Sequence, residues 1–140
     1  MQTIQTLDLN DARILIEGAQ AKAKEIGVPM CVAVMDEGGH LIAFEKMDGA
    51  KLTSSVIAQD KAFTGAAMRR ATHVINQINQ PGQAGHGIMT EYGGRISSVA
   101  GGLPVEFGGA VVGGIGASSG TPDQDLEVVQ AGIDYWLSKQ

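Results

Sequence analysis

The chain is poor in cysteine, in aromatic residues and in charge. Its 140 residues include one cysteine, Cys31, with 3 Phe, 2 Tyr and 1 Trp, and charged residues make up 18%. A single thiol excludes an internal disulfide and a zinc site built from several thiolates. Because Cys31 lies in an apolar run, we interpret it as a buried, unreactive side chain.

Other absences narrow the class of protein. The formal net charge of −5 lacks the positive excess that nucleic-acid binding needs, so we expect no nucleic-acid partner. No glycine-free apolar run approaches the roughly 18 residues of a membrane span, which predicts no membrane association. Residues Met1–Asn10 lack the basic and apolar regions of a secretory signal. We therefore expect a soluble, cytoplasmic protein.

The sequence contains partial matches to several enzyme motifs, but the residues that should accompany each motif are missing. Gly116–Gly120 matches the G-x-S-x-G pattern of hydrolases, but every histidine precedes Ser118, whereas that fold requires one after it. Gly114-Ile115-Gly116 lacks the rest of a dinucleotide-binding unit, and no phosphate-binding loop is present. The histidines are too widely spaced for a metal motif, so we predict no resident metal site. Asp123 and Asp125 are interpreted as acids that stabilise a helix N-terminus.

Glycine is the residue in excess, at 20 of 140, about twice the usual share of roughly 7%. The least regular stretch is Gln80–Gly94. Because glycine permits tight turns and close backbone approaches, we predict a functionally shaped loop there.

Apolar periodicity predicts a single α+β domain over residues 1–140. The predicted order is a helix over Asp8–Ile26, strands over Met30–Met35 and Leu41–Met47, a helix from Thr53 or Ser54 to about Arg70, a short helix over His73–Asn79, two or three strands within Arg95–Gly101, Pro104–Phe107 and Gly109–Ser118, and a last helix capped by Thr121. The Met30–Met35 strand is apolar throughout, so we expect both of its faces to be covered, one by a neighbouring subunit.

The residues able to perform chemistry concentrate around the glycine-rich loop. His73 and His86 could bind a metal or haem or transfer protons. Arg69 and Arg95 could bind a carboxylate, and Glu91 and Tyr92 could exchange protons. The alternative for each histidine is an ordinary solvent-exposed or hydrogen-bonded side chain. We place the predicted pocket where this loop meets Arg95, the Gly101–Pro104 turn and the start of the second helix.

Several segments, in their order and spacing, resemble the GlcG/HbpS/PduO-C-terminal family, also called the haem-degrading domain family. They are Gly27-Val28-Pro29 with the strand to Asp36, Gly38-Gly39-His40-Leu41, Lys46 before Met47-Asp48-Gly49-Ala50, Lys61-Ala62-Phe63-Thr64, Gly101-Gly102-Leu103-Pro104, and Gly113–Ser118. The resemblance covers nearly the whole chain. It implies a profilin-like fold with a five-stranded antiparallel sheet flanked by helices, and dimer-based homo-oligomers of up to eight subunits.

The resemblance leaves three functions open. The first is a haem-binding, haem-degrading protein whose cofactor-binding residues are His73, His86, Arg69, Arg95, Gly101 and Gly102. The second is a small-molecule enzyme or binder in glycolate, propanediol or aromatic-acid catabolism, with His86, Glu91 and Tyr92 as catalytic residues. The third is a structural accessory protein, encoded in a catabolic operon, that binds no ligand.

Overall fold

A computed structural model describes all 140 residues, and its helices and strands follow the predicted order. They are α1 Leu9–Ile26, β1 Cys31–Asp36, β2 Leu41–Lys46, α2 Ser54–Met68, α3 Thr72–Ile78, a 3₁₀ segment Ile88–Gly94, β3 Gly102–Phe107, β4 Ala110–Ser118 and α4 Pro122–Leu137. No helix combines the length and the apolar character needed to cross a membrane.

The ends of the two long outer helices follow from local sequence. The Asp8 side chain accepts a hydrogen bond from the Asp11 backbone N–H, and the Asp11 side chain accepts one from Asp8. Thr121 and Gln124 form the same reciprocal pair at the start of α4. These caps satisfy backbone N–H groups that have no partner within the helix. Gly27 ends α1 in the left-handed conformation, with φ of 72°.

The sheet is antiparallel, in the order β2-β1-β4-β3, and helices flank it. The α+β class is thereby confirmed, but the expected fifth strand is absent and the sheet has four strands. Arg95–Gly101 forms no strand because Ser97 donates its backbone N–H to the side chain of Thr64 on α2. The register with β4 begins at Gly102, and the Gly101 carbonyl accepts the Ala117 N–H at 2.9 Å.

Both faces of β1 are covered within the chain. Val32 and Val34 belong to a core cluster shared with α1 and α4, whereas Cys31, Ala33 and Met35 belong to one shared with α2 and α3. The expectation that a neighbouring subunit covers one face is therefore wrong. The apolar character of this strand is explained by the chain's own three layers.

The α2 layer lies unusually close to the sheet. A methyl group built on Gly114 or Gly116 of β4 would overlap the backbone of α2, and one on Gly65 would lie 2.6 Å from the carbonyl oxygen of Leu103. Because these glycines carry no side chain, helix and sheet backbones nearly touch. This close packing fixes the position of the α2 residues described next.

Candidate functional site

The 3₁₀ segment and the residue after it fold back onto the middle of α2 around Phe63. The Arg95 guanidinium carbon lies 3.7 Å from the centroid of the Phe63 ring. The Tyr92 ring contacts the same phenyl group, with centroids 5.6 Å apart and planes at 58°. Asp60 lies one turn before Phe63, and its carboxylate is 4.0 Å from Arg95 Nε. We call Asp60, Phe63, Tyr92 and Arg95 the Phe63 cluster.

Tyr92 has a backbone conformation that is rare for a bulky residue. Its φ is 52°, and Gly93 and Gly94 follow with φ of 65° and 88°. Holding a non-glycine residue in the left-handed region costs on the order of 1–3 kcal/mol. The Tyr92 side chain nonetheless remains 71% exposed, and its hydroxyl makes no hydrogen bond within the chain. Strain that exposes an aromatic ring is typical of a binding surface.

Thr64 holds the backbone after Arg95 against α2. Its side-chain oxygen accepts the Ser97 N–H at 2.8 Å and donates to the Asp60 carbonyl at 2.7 Å. Thr64 is fully buried, and so is Ile96, the residue beside Arg95. The guanidinium therefore projects from a backbone that is fixed on both sides.

The electrostatics of the cluster are set by partial burial. Burial raises the pKa of Asp60 above its ordinary value of 3.8, and the positive charge of Arg95 opposes that shift. At 4.0 Å the Asp60–Arg95 ion pair is too long for a direct hydrogen bond. The Arg95 guanidinium makes no hydrogen bond within the chain, so its N–H donors stay free for a ligand.

The structure brings together only part of the predicted site. Tyr92 and Arg95 meet at Phe63, in the middle of α2 rather than at its start. His86, on the loop before the 3₁₀ segment, and Glu91, within that segment, are both exposed, and neither side chain forms a hydrogen bond or ion pair within the chain. These two residues are positioned by the loop backbone alone.

Arg69 and His73 lie in sequence between the two halves of the Phe63 cluster and make none of its contacts. Arg69 ends α2, and its Nη2 donates to Glu37 Oε1 at 2.8 Å. It borders two surface grooves of about 520 and 660 Å³. His73 lies on α3, and its Nδ1 is buried without a hydrogen-bond partner. A buried polar atom without a partner lowers the stability of the folded state by roughly 1–3 kcal/mol. His73 is therefore an unusual histidine.

Gly101 and Gly102 are buried against the chain itself. Side-chain atoms built on them would meet Asp125, the backbone of Lys61 and its ammonium group. Lys61 is only 1% exposed, and its ammonium donates to Asp125 Oδ2 at 2.8 Å and to the Ala117 carbonyl at 3.0 Å. The two glycines therefore make room for a buried ion pair that joins α2, β4 and α4.

Sequence reasoning missed Asp60, Phe63 and Thr64 as parts of a site. The only signal for Phe63 and Thr64 was the Lys61-Ala62-Phe63-Thr64 segment within the family resemblance, and Asp60 lies outside that segment. Their roles depend on contacts with residues about 30 positions away, such as Ser97 and Arg95, which the local pattern of α2 does not encode.

Comparison with protein families and relatives places these features in context. The family model described as "Haem degrading protein HbpS-like" matches residues 7–134. An uncharacterized 15.0 kDa protein from the dhaT-dhaS intergenic region of Citrobacter freundii is 38% identical over 95% of this chain and 94% of its own length. The corrinoid adenosyltransferase PduO of Salmonella typhimurium is 33% identical over 91% of this chain, which spans only 38% of PduO.

Two crystal structures share the fold over nearly their full length. Protein ORFY of Klebsiella pneumoniae superposes with a TM-score of 0.96 and 34% identity, covering 99% of this chain and 95% of ORFY. The haem complex of PduOC superposes with a TM-score of 0.89 and 32% identity, covering 93% of this chain and 94% of that one. The chain is thus similar both to an uncharacterized relative and to a protein crystallised with haem.

Proposed function

The chain belongs to the HbpS-like family of haem-degrading proteins, and from that membership we propose that it binds haem. The similarity to the haem complex of PduOC supports the proposal. The observation in this chain that carries it is the Phe63 cluster, where an exposed aromatic ring and a guanidinium with free donors both contact the Phe63 ring. A porphyrin presents a flat apolar body and negatively charged carboxylates, which matches those two groups.

The residues around the cluster fit the other needs of haem. Haem requires apolar surface and an axial ligand. Tyr92 is 71% and Met89 39% exposed, which provides apolar surface on the loop. His86, whose side chain is exposed, or His73, whose Nδ1 is buried, would hold the haem iron through an imidazole nitrogen, since neither imidazole forms a hydrogen bond within the chain. Bound haem supplies a redox-active iron, and the protein holds and orients it.

The other proposed cofactor-binding residues have supporting roles. Arg69, at the end of α2 beside Arg70, and Arg95, after the loop, are the cations that we assign to the haem carboxylates. Gly101 and Gly102 keep β3 close to α2 and thereby shape the surface behind the loop. We propose that they act through backbone position, because both are buried.

Added haemin should give a red-shifted Soret band that saturates at about one haem per subunit. His86→Ala or His73→Ala should change the position of the band, because an axial nitrogen is lost. The measurement is an absorbance titration of each purified variant. His40→Ala is the control, since His40 is 82% exposed and is hydrogen-bonded to Asp36. An unchanged Soret band in the wild-type titration would contradict haem binding, and unchanged bands in both variants would contradict the histidine assignment.

A second candidate function is proton transfer on a small organic substrate. His86, Glu91 and Tyr92 are all exposed on the same loop and keep their polar atoms free of intramolecular partners, which is the observation that favours it. Groups of this kind act as general acids and bases when a substrate lies within hydrogen-bond reach. The haemin titration separates the two candidates, because this one requires no Soret change.

We also propose that the protein forms homo-oligomers built from dimers, up to octamers. Leu52, just before α2, and Val56 and Ile57 in its first turn are 87%, 63% and 37% exposed, and clustered exposed apolar residues mark interaction surfaces. Light scattering should therefore show an oligomer at micromolar concentration. Val56→Glu should shift it toward smaller species, because a charge would be buried, whereas Leu9→Glu on α1 is the control. A wild-type monomer would contradict this proposal.

A further inference from the structure

The proposed function assigns both Arg69 and Arg95 to a ligand carboxylate, but the surroundings of the two side chains differ. We infer that Arg95 is a carboxylate-binding residue, positioned by Phe63 and Asp60, and that its ligand is a carboxylic acid carried on a flat body. Where that acid is a porphyrin propionate, the inference rests on the proposed function. Where it is a free aromatic acid, the inference stands alone.

The difference between the arginines lies in their hydrogen bonds. Arg69 already donates from Nη2 to the Glu37 carboxylate at 2.8 Å, so part of its positive charge is engaged by an internal anion. Arg95 donates none, and its nearest carboxylate, on Asp60, is 4.0 Å away. A guanidinium has five N–H donors in a planar fork that matches a carboxylate. Arg95 retains this fork for an external anion.

Arg95 is also held in place before any ligand arrives. The Phe63 ring lies beneath the guanidinium at 3.7 Å, and the backbone beside Arg95 is tied to α2 through Thr64 and Ser97. Asp60 attracts the guanidinium at a distance that leaves its donors unused. A preorganised side chain loses less conformational freedom on binding, which favours affinity.

The neighbouring Tyr92 indicates the shape of the ligand. Its ring contacts the same Phe63 as Arg95 does, with centroids 5.6 Å apart, and its side chain is 71% exposed. Its backbone is left-handed, with φ of 52°. A ligand whose carboxylate meets Arg95 can therefore lay an aromatic or porphyrin ring against Tyr92, where offset aromatic stacking is favourable.

The first test compares haemin with haemin dimethyl ester, which has the same ring without free carboxylates. Wild type should bind haemin about 10- to 100-fold more tightly than the diester, since hydrogen bonds to charged groups are the stronger ones. Arg95→Gln should abolish that preference while retaining affinity for the diester, and Arg95→Lys, a charge without the fork, should restore part of it. Arg13→Gln, an exposed arginine on α1, is the control. Loss of the preference in Arg69→Gln but not in Arg95→Gln would overturn the inference.

The second test uses benzoate and does not depend on haem. In NMR titrations, benzoate should shift the Arg95 side-chain N–H and Tyr92 ring signals saturably, whereas uncharged benzyl alcohol should not. Arg95→Gln should remove the saturable shift of Tyr92. The inference would be overturned if Arg95→Gln bound benzoate as well as the wild type does. It would also be overturned if the wild type bound neither benzoate nor haemin. Benzoate binding through Arg95 without any haemin binding would support it and contradict the proposed function.

Discussion

Replacing Asp125 with alanine should lower the free energy of unfolding by about 3–5 kcal/mol, the usual consequence of removing one partner of a buried ion pair. The Lys61 ammonium is 2.8 Å from Asp125, and their side chains are 1% and 4% exposed. Asp125 also accepts the Gly120 backbone N–H at 2.9 Å. In the variant the Lys61 charge would remain in the core with only the Ala117 carbonyl as a partner.

Denaturant unfolding monitored by circular dichroism measures this loss. The matched control is Asp123→Ala, which removes an exposed acid from the same helix turn. Adding Lys61→Met to Asp125→Ala should recover part of the stability, because it removes the uncompensated charge. A deficit of less than about 1 kcal/mol for Asp125→Ala, the range typical of surface ion pairs, would contradict the structural role of the pair.

The pH dependence of stability gives the same pair a second signature. Burial lowers the pKa of Lys61 below its ordinary value of 10.5, and the hydrogen bond and charge of Asp125 oppose that shift. Between the lowered pKa and 10.5 the unfolded chain binds more protons than the folded one, so stability rises with pH across that window. Asp125→Ala removes the hydrogen bond and the charge that keep the pKa of Lys61 from falling further. The difference in the free energy of unfolding between wild type and variant should therefore shrink as the pH rises toward 10.5.

This ion pair shows why part of the structure could not be predicted from the sequence. The capping residues of α1 and α4 were predictable, because a cap and its partner are three positions apart. Lys61 and Asp125 are separated by 64 positions, and an acid in the first turn of a helix is already explained by the helix dipole. Nothing local therefore indicated that either side chain is buried.

In the sheet and the candidate site, too, features with a local sequence signal were predictable, and features that depend on contacts between distant residues were not. The strands that pair through the Asp36–His40 and Gly108–Gly109 turns were predicted close to their observed bounds, because their signals are local. The fifth strand was wrong because the Thr64 hydroxyl takes the Ser97 N–H that a strand would need. For the site, the loop, Tyr92 and Arg95 were recognised from residue type, whereas their common contact with Phe63 depends on the fold.

Because α2 lies so close to β4, replacing Gly114 with alanine should also lower the stability of the protein by a large amount. A methyl group on Gly114 would overlap the Ala62 carbonyl oxygen and lie 2.6 Å from the Ala66 backbone nitrogen. Backbone atoms of a packed helix cannot rotate away as a side chain can, so helix and sheet would have to separate. Overpacking of a core costs typically about 1–3 kcal/mol, and we expect Gly114→Ala to lie at or above the top of that range.

Gly114→Ala should therefore unfold at markedly lower denaturant concentration than wild type, and adding Gly116→Ala should abolish the cooperative transition. The control is Gly38→Ala, because the nearest atoms to a methyl group there belong to side chains, those of the exposed His40 at 3.0 Å and of Asp36 at 3.5 Å, and not to backbone. Because α2 also carries Phe63, the NMR signals of the Tyr92 ring should shift in Gly114→Ala but not in Gly38→Ala. Equal stability of the two single variants would show that α2 and β4 have room to separate, contrary to the packing described here.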